Sequence, residues 1–233
     1  MDYVRELVEE ITVKMGGLFS TELGINLQKR GSDEVFKWFV ASLLFGARIS
    51  ETIAKNTYYE FERAGLLSAG KILKTGWHGL VYILDRGGYV RYDYKTADKF
   101  LEVMGNLEKE YGEDLNLLHQ KSSDSRDLEQ RLKNLGKGIG DVTVNIFLRE
   151  LRGIWDKANP PLQELTVNSA KNLGLIKEAD KNRNLQELYE IWNQNKIEGY
   201  HFQNFETALL RIGKNYCRKN KCDACPVKTY CQL

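Results

Sequence analysis

The chain has 233 residues, of which 42% are hydrophobic, 28% charged and 11% aromatic. This composition excludes a disordered protein and is sufficient for one large domain or two small ones. No apolar run approaches the ~18 residues of a membrane-spanning helix, and the polar, acidic start MDYVRELVEEI is unlike a signal peptide. We therefore expect a soluble, cytoplasmic protein with no membrane partner.

The net charge of +2 hides an uneven distribution of charged residues. From Arg211 to Leu233, six basic residues stand against Asp223 alone, which gives this tail a charge of +5 and leaves −3 for the rest of the chain. A basic tail on a slightly acidic body is typical of an anion-binding surface, and nucleic acid is the commonest partner of such a surface.

Apolar residues recur at helical spacing along most of the chain, which predicts an all-α protein. An almost entirely apolar segment predicts a buried central helix formed by Val35, Phe36, Phe39, Val40, Leu43 and Leu44. Further along, Gly87-Gly88 predicts a turn and Thr96 a cap for a helix over 97–107. Another helix is indicated by the spacing of Leu185, Leu188, Ile191 and Trp192.

The segment SSDSRDLEQRLKNLGKGIGDVTVNIFLRELRGIW predicts two helices joined by a glycine-rich turn. Asp124 or Ser125 can cap the first helix, and a second is expected to begin at Asp141 and to continue past Leu151. Between them, Gly138 and Gly140 permit a tight turn that presents backbone amides at a helix start, an arrangement that can cradle a phosphate. The alternative is an ordinary turn between helices. We call residues 135–140 the hairpin.

All four cysteines lie close together near the C-terminus, in the pattern C-x4-C-x2-C-x5-C formed by Cys217, Cys222, Cys225 and Cys231. Two disulfides would suit a small secreted protein, which this chain does not resemble. Structural zinc sites usually pair two C-x2-C arms, and only one is present. A [4Fe–4S] cluster also takes four thiolates, often with a proline after one cysteine, as in Cys225-Pro226. The pattern favours the cluster over zinc and disulfides.

Basic residues lie between these cysteines, in the segment 217–231 that we call the cysteine loop. If the loop folds around a compact inorganic core, its cations are expected to point outward and contact DNA phosphates, which position a protein without reading sequence. The candidate residues are Arg218, Lys219, Lys221 and Lys228.

Together, the hairpin G-K-G-I-G-D-V-T-V-N and the cysteine loop resemble the endonuclease III superfamily of DNA glycosylases. In that family a helix-hairpin-helix precedes a C-terminal cluster loop with the spacing C-x6-C-x2-C-x5-C. The order and the last two spacings agree here, and the first spacing is two residues shorter. The approach Leu209-Leu210-Arg211-Ile212-Gly213 to the first cysteine is also similar. The resemblance covers residues 33–233.

The resemblance implies an all-α fold of two helical lobes with a DNA groove between them. One lobe would be a six-helix barrel over 33–153 that contains the helix-hairpin-helix at about 127–152. The other would be the iron–sulfur lobe, formed by 1–32 together with 154–233. The implied partner is double-stranded DNA containing a lesion or mismatch, at the nucleoid, and we expect a monomer.

The reaction implied by the resemblance is cleavage of the N-glycosidic bond of a base flipped out of the duplex. Family members with lyase activity carry a lysine where this sequence has Val142, so the usual lysine-driven strand cleavage is not expected. The catalytic aspartate is also missing, because counting from neighbouring motifs reaches Asn159 or Gln163. The remaining candidate carboxylates are Glu164, which we prefer, Asp156 and Asp141.

Several further residues are candidates for contacts with DNA or with a base. The resemblance places Lys137 of the hairpin against a phosphate, together with Gly138 and Gly140, and Arg48 at a phosphate or in the gap left by the base. A stacking role for Trp77 with His78, or for the tyrosines at 89, 92 and 94, competes with simple packing. His119 is expected on a helix surface.

Two other functions stay open from the sequence. A non-catalytic DNA-binding relative is indicated by Val142 and by the missing aspartate. A helical zinc-knuckle protein that binds nucleic acid would explain the cysteines and the basic tail without an enzyme.

Overall fold

The computed structural model describes residues 3–177 and 181–232, and within them the chain is helical, with no β-strand. None of the helices in these residues has the length and apolar character to cross a membrane. Three 3₁₀ turns fall in the cysteine loop, and a fourth is Leu27–Lys29. The α-helices are α1 (Tyr3–Met15), α2 (Phe19–Glu22), α3 (Ser32–Phe45), α4 (Glu51–Arg63), α5 (Ala69–Arg86), α6 (Asp93–Tyr111), α7 (Leu115–Lys121), α8 (Ser125–Asn134), α9 (Asp141–Arg149), α10 (Glu164–Asn172), α11 (Lys181–Gln194) and α12 (Phe202–Asn215).

The chain divides into two compact units, one formed by Leu23–Pro160 and the other by Met1–Glu22 with Pro161–Leu233. The sequence places these divisions at 32/33 and 153/154, inside the first unit. Residues 23–32 belong with the first unit because the backbone N–H of Asn26 donates to the carboxylate of Glu34 in α3, at 2.5 Å. Residues 154–160 belong there because the ring of Trp155 packs on Phe147 of α9.

The unit Leu23–Pro160 is built around α3, as its apolar sequence predicts. The indole N–H of Trp38 donates to the carbonyl of Phe147 at 3.0 Å, and the ring of Phe39 packs edge-on against Phe147. These contacts fix α3 against α9, the helix that follows the hairpin. The residues predicted to form the buried helix are all at most 4% exposed: Val35, Phe36, Phe39, Val40, Leu43 and Leu44.

Helix α6 begins earlier than the sequence indicates. It starts at Asp93, so Thr96 is a buried residue of the first turn rather than the helix cap, and the prediction of a helix over 97–107 was too short. The turn at Gly87-Gly88 before it is confirmed. Next to this turn, Tyr89 is buried and its hydroxyl donates to the carbonyl of Leu44 at 2.7 Å, so it packs the core and is not available to stack on a base.

The other unit packs α1, α10, α11 and α12 around a shared core. Leu7 and Ile11 of α1 pack there with Leu188 of α11 and Phe205 of α12. The predicted helix over 185–192 is confirmed as part of α11. Helix α12 ends two residues before Cys217, so it carries the chain directly into the cysteine loop.

Candidate functional site

Two helices, α8 and α9, lie on either side of the hairpin, as the sequence predicts. The side chain of Asp124, rather than Ser125, caps α8 by accepting from the backbone N–H groups of Arg126 and Asp127. Helix α9 begins at Asp141 as expected but ends at Arg149, so the prediction that it continues past Leu151 was wrong. Leu151 lies instead in a tight turn and is fully buried.

The hairpin has both buried and exposed residues. Ile139 is buried, whereas Lys137, Gly138 and Gly140 are exposed. Gly138 has φ +86°, a left-handed conformation that glycine adopts without strain. No side chain caps the start of α9 at Gly140. The first-turn amides of a nine-residue helix therefore face the exposed end of the hairpin, where an anion is favoured.

The two residues after the hairpin, Asp141 and Val142, differ in their contacts and in their chemistry. The carboxylate of Asp141 lies 2.6 Å from the amine of Lys133 and is 90% exposed. This ion pair and its place in the first turn of α9 make Asp141 a helix-end carboxylate, as the sequence suggests. Val142, where the resemblance predicts that other family members carry a lysine, is 60% exposed and offers no nucleophile.

Asp156 is held by a histidine. Its carboxylate oxygen lies 2.7 Å from Nε2 of His119, and the imidazole ring stacks on Trp155 with centroids 4.6 Å apart. His119 is thus half-buried, and its expected place on a helix surface was wrong. Burial lowers the pKa of His119. Burial raises the pKa of Asp156, but the hydrogen bond from His119 and the electrostatic interactions with His119 and Lys157 together lower it by more. At neutral pH, Asp156 is an ionised, 78% exposed carboxylate beside a neutral imidazole.

The resemblance predicts the catalytic aspartate at Asn159 or Gln163, and the structure gives a packing role to the first of these. Asn159 accepts a hydrogen bond of 2.9 Å from the guanidinium of the buried Arg152, which also donates to the carbonyl of Pro160. Gln163 is the residue before α10 and makes no side-chain cap. Neither position places a carboxylate.

Glu164, the preferred catalytic candidate from the sequence, is the first residue of α10 and is exposed. It lines a cavity of about 410 Å³ together with Lys171, Cys217 and Arg218. Its nearest functional neighbour in the described residues of this unit is therefore the cysteine loop. Asp156 and Asp141, in contrast, belong to the unit that contains the hairpin.

The cysteine loop is attached to its unit at three points. Val227 is fully buried, the hydroxyl of Tyr3 donates to the carbonyl of Tyr230 at 2.9 Å, and the backbone N–H of Gln232 donates to the carbonyl of Asn172 at 2.7 Å. Between these points the backbone forms the 3₁₀ turns Cys217–Lys219, Cys222–Ala224 and Lys228–Tyr230. Each cysteine lies at the start or the C-terminal cap of a turn.

All four thiols are free, three of them half-buried and that of Cys222 exposed. Burial raises the pKa of the Cys217 thiol, and the other three cysteines raise it further, so the thiols lie close enough to interact electrostatically. In the described part of the chain, no group of three or more His, Cys, Asp or Glu side chains is arranged to hold a metal ion. The donor set fits a four-thiolate cluster in kind and number, without forming a closed ligand group.

The basic tail separates into exposed and structural cations. Arg218, Lys219 and Lys221 are exposed, as expected for phosphate contacts. Lys228 is also exposed, but its amine is 2.6 Å from the carboxylate of Asp223. Arg211 is 15% exposed and binds the carboxylate of Glu22 and the carbonyl of Gly17, so it stabilises the fold rather than adding to a DNA-binding surface. In the other unit, Arg48 is exposed in the loop between α3 and α4.

An exposed aromatic cluster lies on α5 and α6. Gly76 breaks α5 with φ +67° and ψ 177°, and Trp77 follows it. The indole packs against His78 and Tyr94 with ring centroids 5.1 Å apart in each case, and its N–H donates to Asp98 at 2.8 Å. Tyr94 is exposed, so it could still stack on a base, unlike the buried Tyr89.

Lys99 is a residue that the sequence analysis missed. It lies on α6, between the buried Thr96 and Val103, with its side-chain carbons next to Gly138 of the hairpin. The sequence could have indicated this lysine, because residues three and four positions apart share a helix face. Lys99 is three residues after Thr96 and four before Val103, both of which are buried. A lysine on a buried face needs a partner or a function.

Comparison with known proteins gives no evidence on the function of this chain. No family model and no curated protein matches the chain. The resemblance carried by the hairpin and the cysteine loop therefore stays a prediction, and the function is argued from the sites themselves.

Proposed function

We propose that this protein is a glycosylase of DNA base-excision repair, which cleaves the N-glycosidic bond of a damaged or mismatched base flipped out of the duplex. The observation that carries the proposal is the exposed hairpin, with uncapped amides at the start of α9, in a chain that also ends in a four-cysteine loop. In this proposal the amides of the hairpin bind a DNA phosphate, and the exposed cations of the cysteine loop also contact phosphates.

Duplex binding follows from exposed cations at separate positions on the surface. Unlike Arg211, five exposed cations have no structural role among the residues that the structure describes. They are Lys137 of the hairpin, Arg48 in the loop after α3, and Arg218, Lys219 and Lys221 of the cysteine loop. Contacts of this kind are independent of sequence and weaken with salt. Recognition of the lesion then depends on the pocket that receives the base.

Removal of a base leaves positive charge on the sugar, which an ionised carboxylate stabilises. The contacts favour Asp156 over the other two candidates. Asp156 is ionised, mostly exposed and paired with a neutral imidazole, whereas the charge of Asp141 is compensated by the cation of Lys133. Glu164 is the second choice because it lies beside the cysteine loop. Since Val142 has no amine, water is the nucleophile in the base-release step.

We also propose that Cys217, Cys222, Cys225 and Cys231 bind a [4Fe–4S] cluster. When bound, the cluster would cross-link the four thiolates and fix the positions of the 3₁₀ turns. Iron and acid-labile sulfide, each near four per chain in anaerobically purified protein, are the expected result. One zinc per chain without sulfide would instead favour the zinc-knuckle hypothesis.

The test of the glycosylase is base release from duplexes with one uracil, thymine–guanine mismatch, oxidised guanine, hypoxanthine or alkylated base. Products are counted after hot alkali, which breaks the strand at every abasic site whatever the enzyme does next. We expect release from at least one lesion, and a loss of ~10²-fold or more for Asp156→Asn. Glu164→Gln tests the second candidate, and Glu9→Gln, an exposed glutamate of α1, is the matched control.

The competing function is a DNA-binding relative without catalysis, which the exposed Val142 and the structural Asn159 favour. Lesion duplexes bound with no base lost from any of them would support that function and overturn the glycosylase.

A further inference from the structure

The hairpin packs against helix α6. A Cβ added to Gly136 would lie 2.7 Å from a methyl group of Val103, and the side-chain amide of Asn106 donates to the carbonyl of Leu135 at 2.9 Å. One turn earlier on α6, the Cδ of Lys99 would lie 3.3 Å from a Cβ at Gly138. The hairpin thus packs on a row of residues spaced three or four apart, and Lys99 is at the end of that row.

The amine of Lys99 reaches from this row to the end of α3. Its Nζ donates a hydrogen bond of 3.0 Å to the carbonyl of Leu43. That carbonyl is available because the last turn of α3 tightens, with the N–H of Ala47 donating to Leu44. Lys99 is half-buried, and no ion pair joins it to a carboxylate within the described ranges 3–177 and 181–232.

The buried residue that follows Val142 contacts the same turn of α3. Gly46 lies against the side chain of Thr143, so closely that a Cβ at Gly46 would overlap its hydroxyl oxygen. Thr143 directly follows Val142, and Gly46 is three residues from Leu43, about 5 Å along the helix axis. The last turn of α3 therefore contacts the amine of Lys99 and, through Thr143, the start of α9, next to the position at which the resemblance leads us to expect a lysine.

We propose that Lys99 supplies this missing amine and reacts with the aldehyde of an abasic deoxyribose in duplex DNA. The inference rests on the proposed function, because the abasic site is the product of base release. The Nζ lone pair forms a bond to C1′ of the open-chain sugar, and the aldehyde oxygen leaves as water after taking one proton from the amine and one from solvent. The product is an iminium ion.

Strand cleavage follows from the iminium ion by elimination. A base removes a proton from C2′, the electron pair forms the C2′–C3′ double bond, and the C3′–O bond breaks so that the 3′ phosphate leaves. Water then hydrolyses the iminium and returns the amine and an unsaturated aldehyde.

The environment of Lys99 suits a nucleophilic amine. Burial lowers the pKa of Lys99 to about 8, and burial alone is the cause. At pH 7 roughly a tenth of the chains therefore carry the neutral amine, far more than for an exposed lysine.

The experiment is reductive trapping of the full-length protein on a duplex with one abasic site made by enzymatic removal of uracil. Borohydride reduces the iminium to a stable amine, and the covalent protein–DNA complex is counted on a denaturing gel. We expect trapping by the wild type and by Lys95→Gln, which changes an exposed lysine four residues earlier on α6. Lys99→Arg keeps a cationic donor for Leu43 and should trap at least ~10-fold less.

Peptide mapping of the wild-type complex identifies the modified residue without any variant. A cross-link at Lys99 supports the proposal, and a cross-link at Lys137 or another lysine overturns it. Absence of trapping also overturns it. Base release after hot alkali, measured with the same preparation, then decides whether the proposed function fails as well or stands alone.

Discussion

Gly213 of α12 lies directly against the backbone carbonyl of Leu165 in α10. A Cβ at Gly213 would overlap the carbonyl oxygen and lie within 2.8 Å of the carbonyl carbon. The close approach brings α10 next to the last turn of α12, just before Cys217, and both helices contribute to the attachment of the cysteine loop. The glycine of the Leu209–Gly213 motif is therefore needed for packing.

Gly213→Ala is expected to lower the free energy of unfolding by ~1–3 kcal/mol, because two backbones would have to separate. The matched control is Gly105→Ala in α6, where an added Cβ meets no atom within 4 Å. That change should be neutral or stabilising by up to ~1 kcal/mol. Urea unfolding of both variants measures the difference, and equal effects would contradict the packing argument.

Gly138→Ala in the hairpin should cost ~1–2 kcal/mol, since the residue has φ +86° and its neighbour Lys99 limits the space. Gly140→Ala tests an extended residue with open space around its Cα, and its stability should stay within ~0.5 kcal/mol of the wild type. Thermal unfolding separates the two. Affinity for a duplex should fall for Gly138→Ala, because the turn that presents the amides of α9 would shift.

The two arginines of the basic tail should have opposite effects when changed to alanine. Arg218→Ala should leave stability within ~0.5 kcal/mol, weaken duplex binding at every sequence, and reduce the salt slope by about 1. Arg211→Ala should lower the free energy of unfolding by ~1–3 kcal/mol, because it removes the partner of Glu22 and the donor to Gly17. DNA titrations at several salt concentrations measure duplex binding, and urea unfolding measures stability. A loss of stability in Arg218→Ala and a loss of binding alone in Arg211→Ala would contradict the distinction between exposed and structural arginines.

Removal of the cluster should affect the cysteine loop more than the helices around it. The core of this unit is apolar and independent of the thiols, whereas the loop is held by a few attachments, among them Val227 and the hydrogen bond of Gln232. After oxidative removal and chelation, far-ultraviolet circular dichroism should change by less than ~10%. Trypsin should then cut first after the exposed Lys219, Lys221 or Lys228. Immediate loss of helix would contradict this.

The burial of Lys99 predicts a pH dependence of stability. Its pKa is lowered from 10.5 to about 8, so between these pH values the unfolded chain holds a proton that the folded chain has lost. The free energy of unfolding should therefore rise with pH through this window, by at most ~3 kcal/mol, relative to Lys99→Met. Below pH 8 the cost of the buried charge is fully present. Urea unfolding at pH 7 and pH 10 measures the change, with Lys95→Met as the exposed control.

The helices that sequence analysis located well are those with local signals. The apolar run from Val35 to Leu44 became the core helix α3, and Asp124 became the cap of α8. The errors occurred at the ends of helices. Thr96 could cap a helix, but the chain from Asp93 was already helical, and Leu151 lies in a turn after α9 has ended.

The sequence by itself determined the helical class, the two helices on either side of the hairpin and the grouping of four cysteines in one segment, because capping and helical periodicity act over a few residues. Only the tertiary structure decided what the charged residues do. Arg211 is bound to Glu22, 189 positions away, and Asp156 to His119. Lys99 donates to Leu43, 56 positions away. Burial and pairing across such separations depend on how helices pack, which no local pattern records.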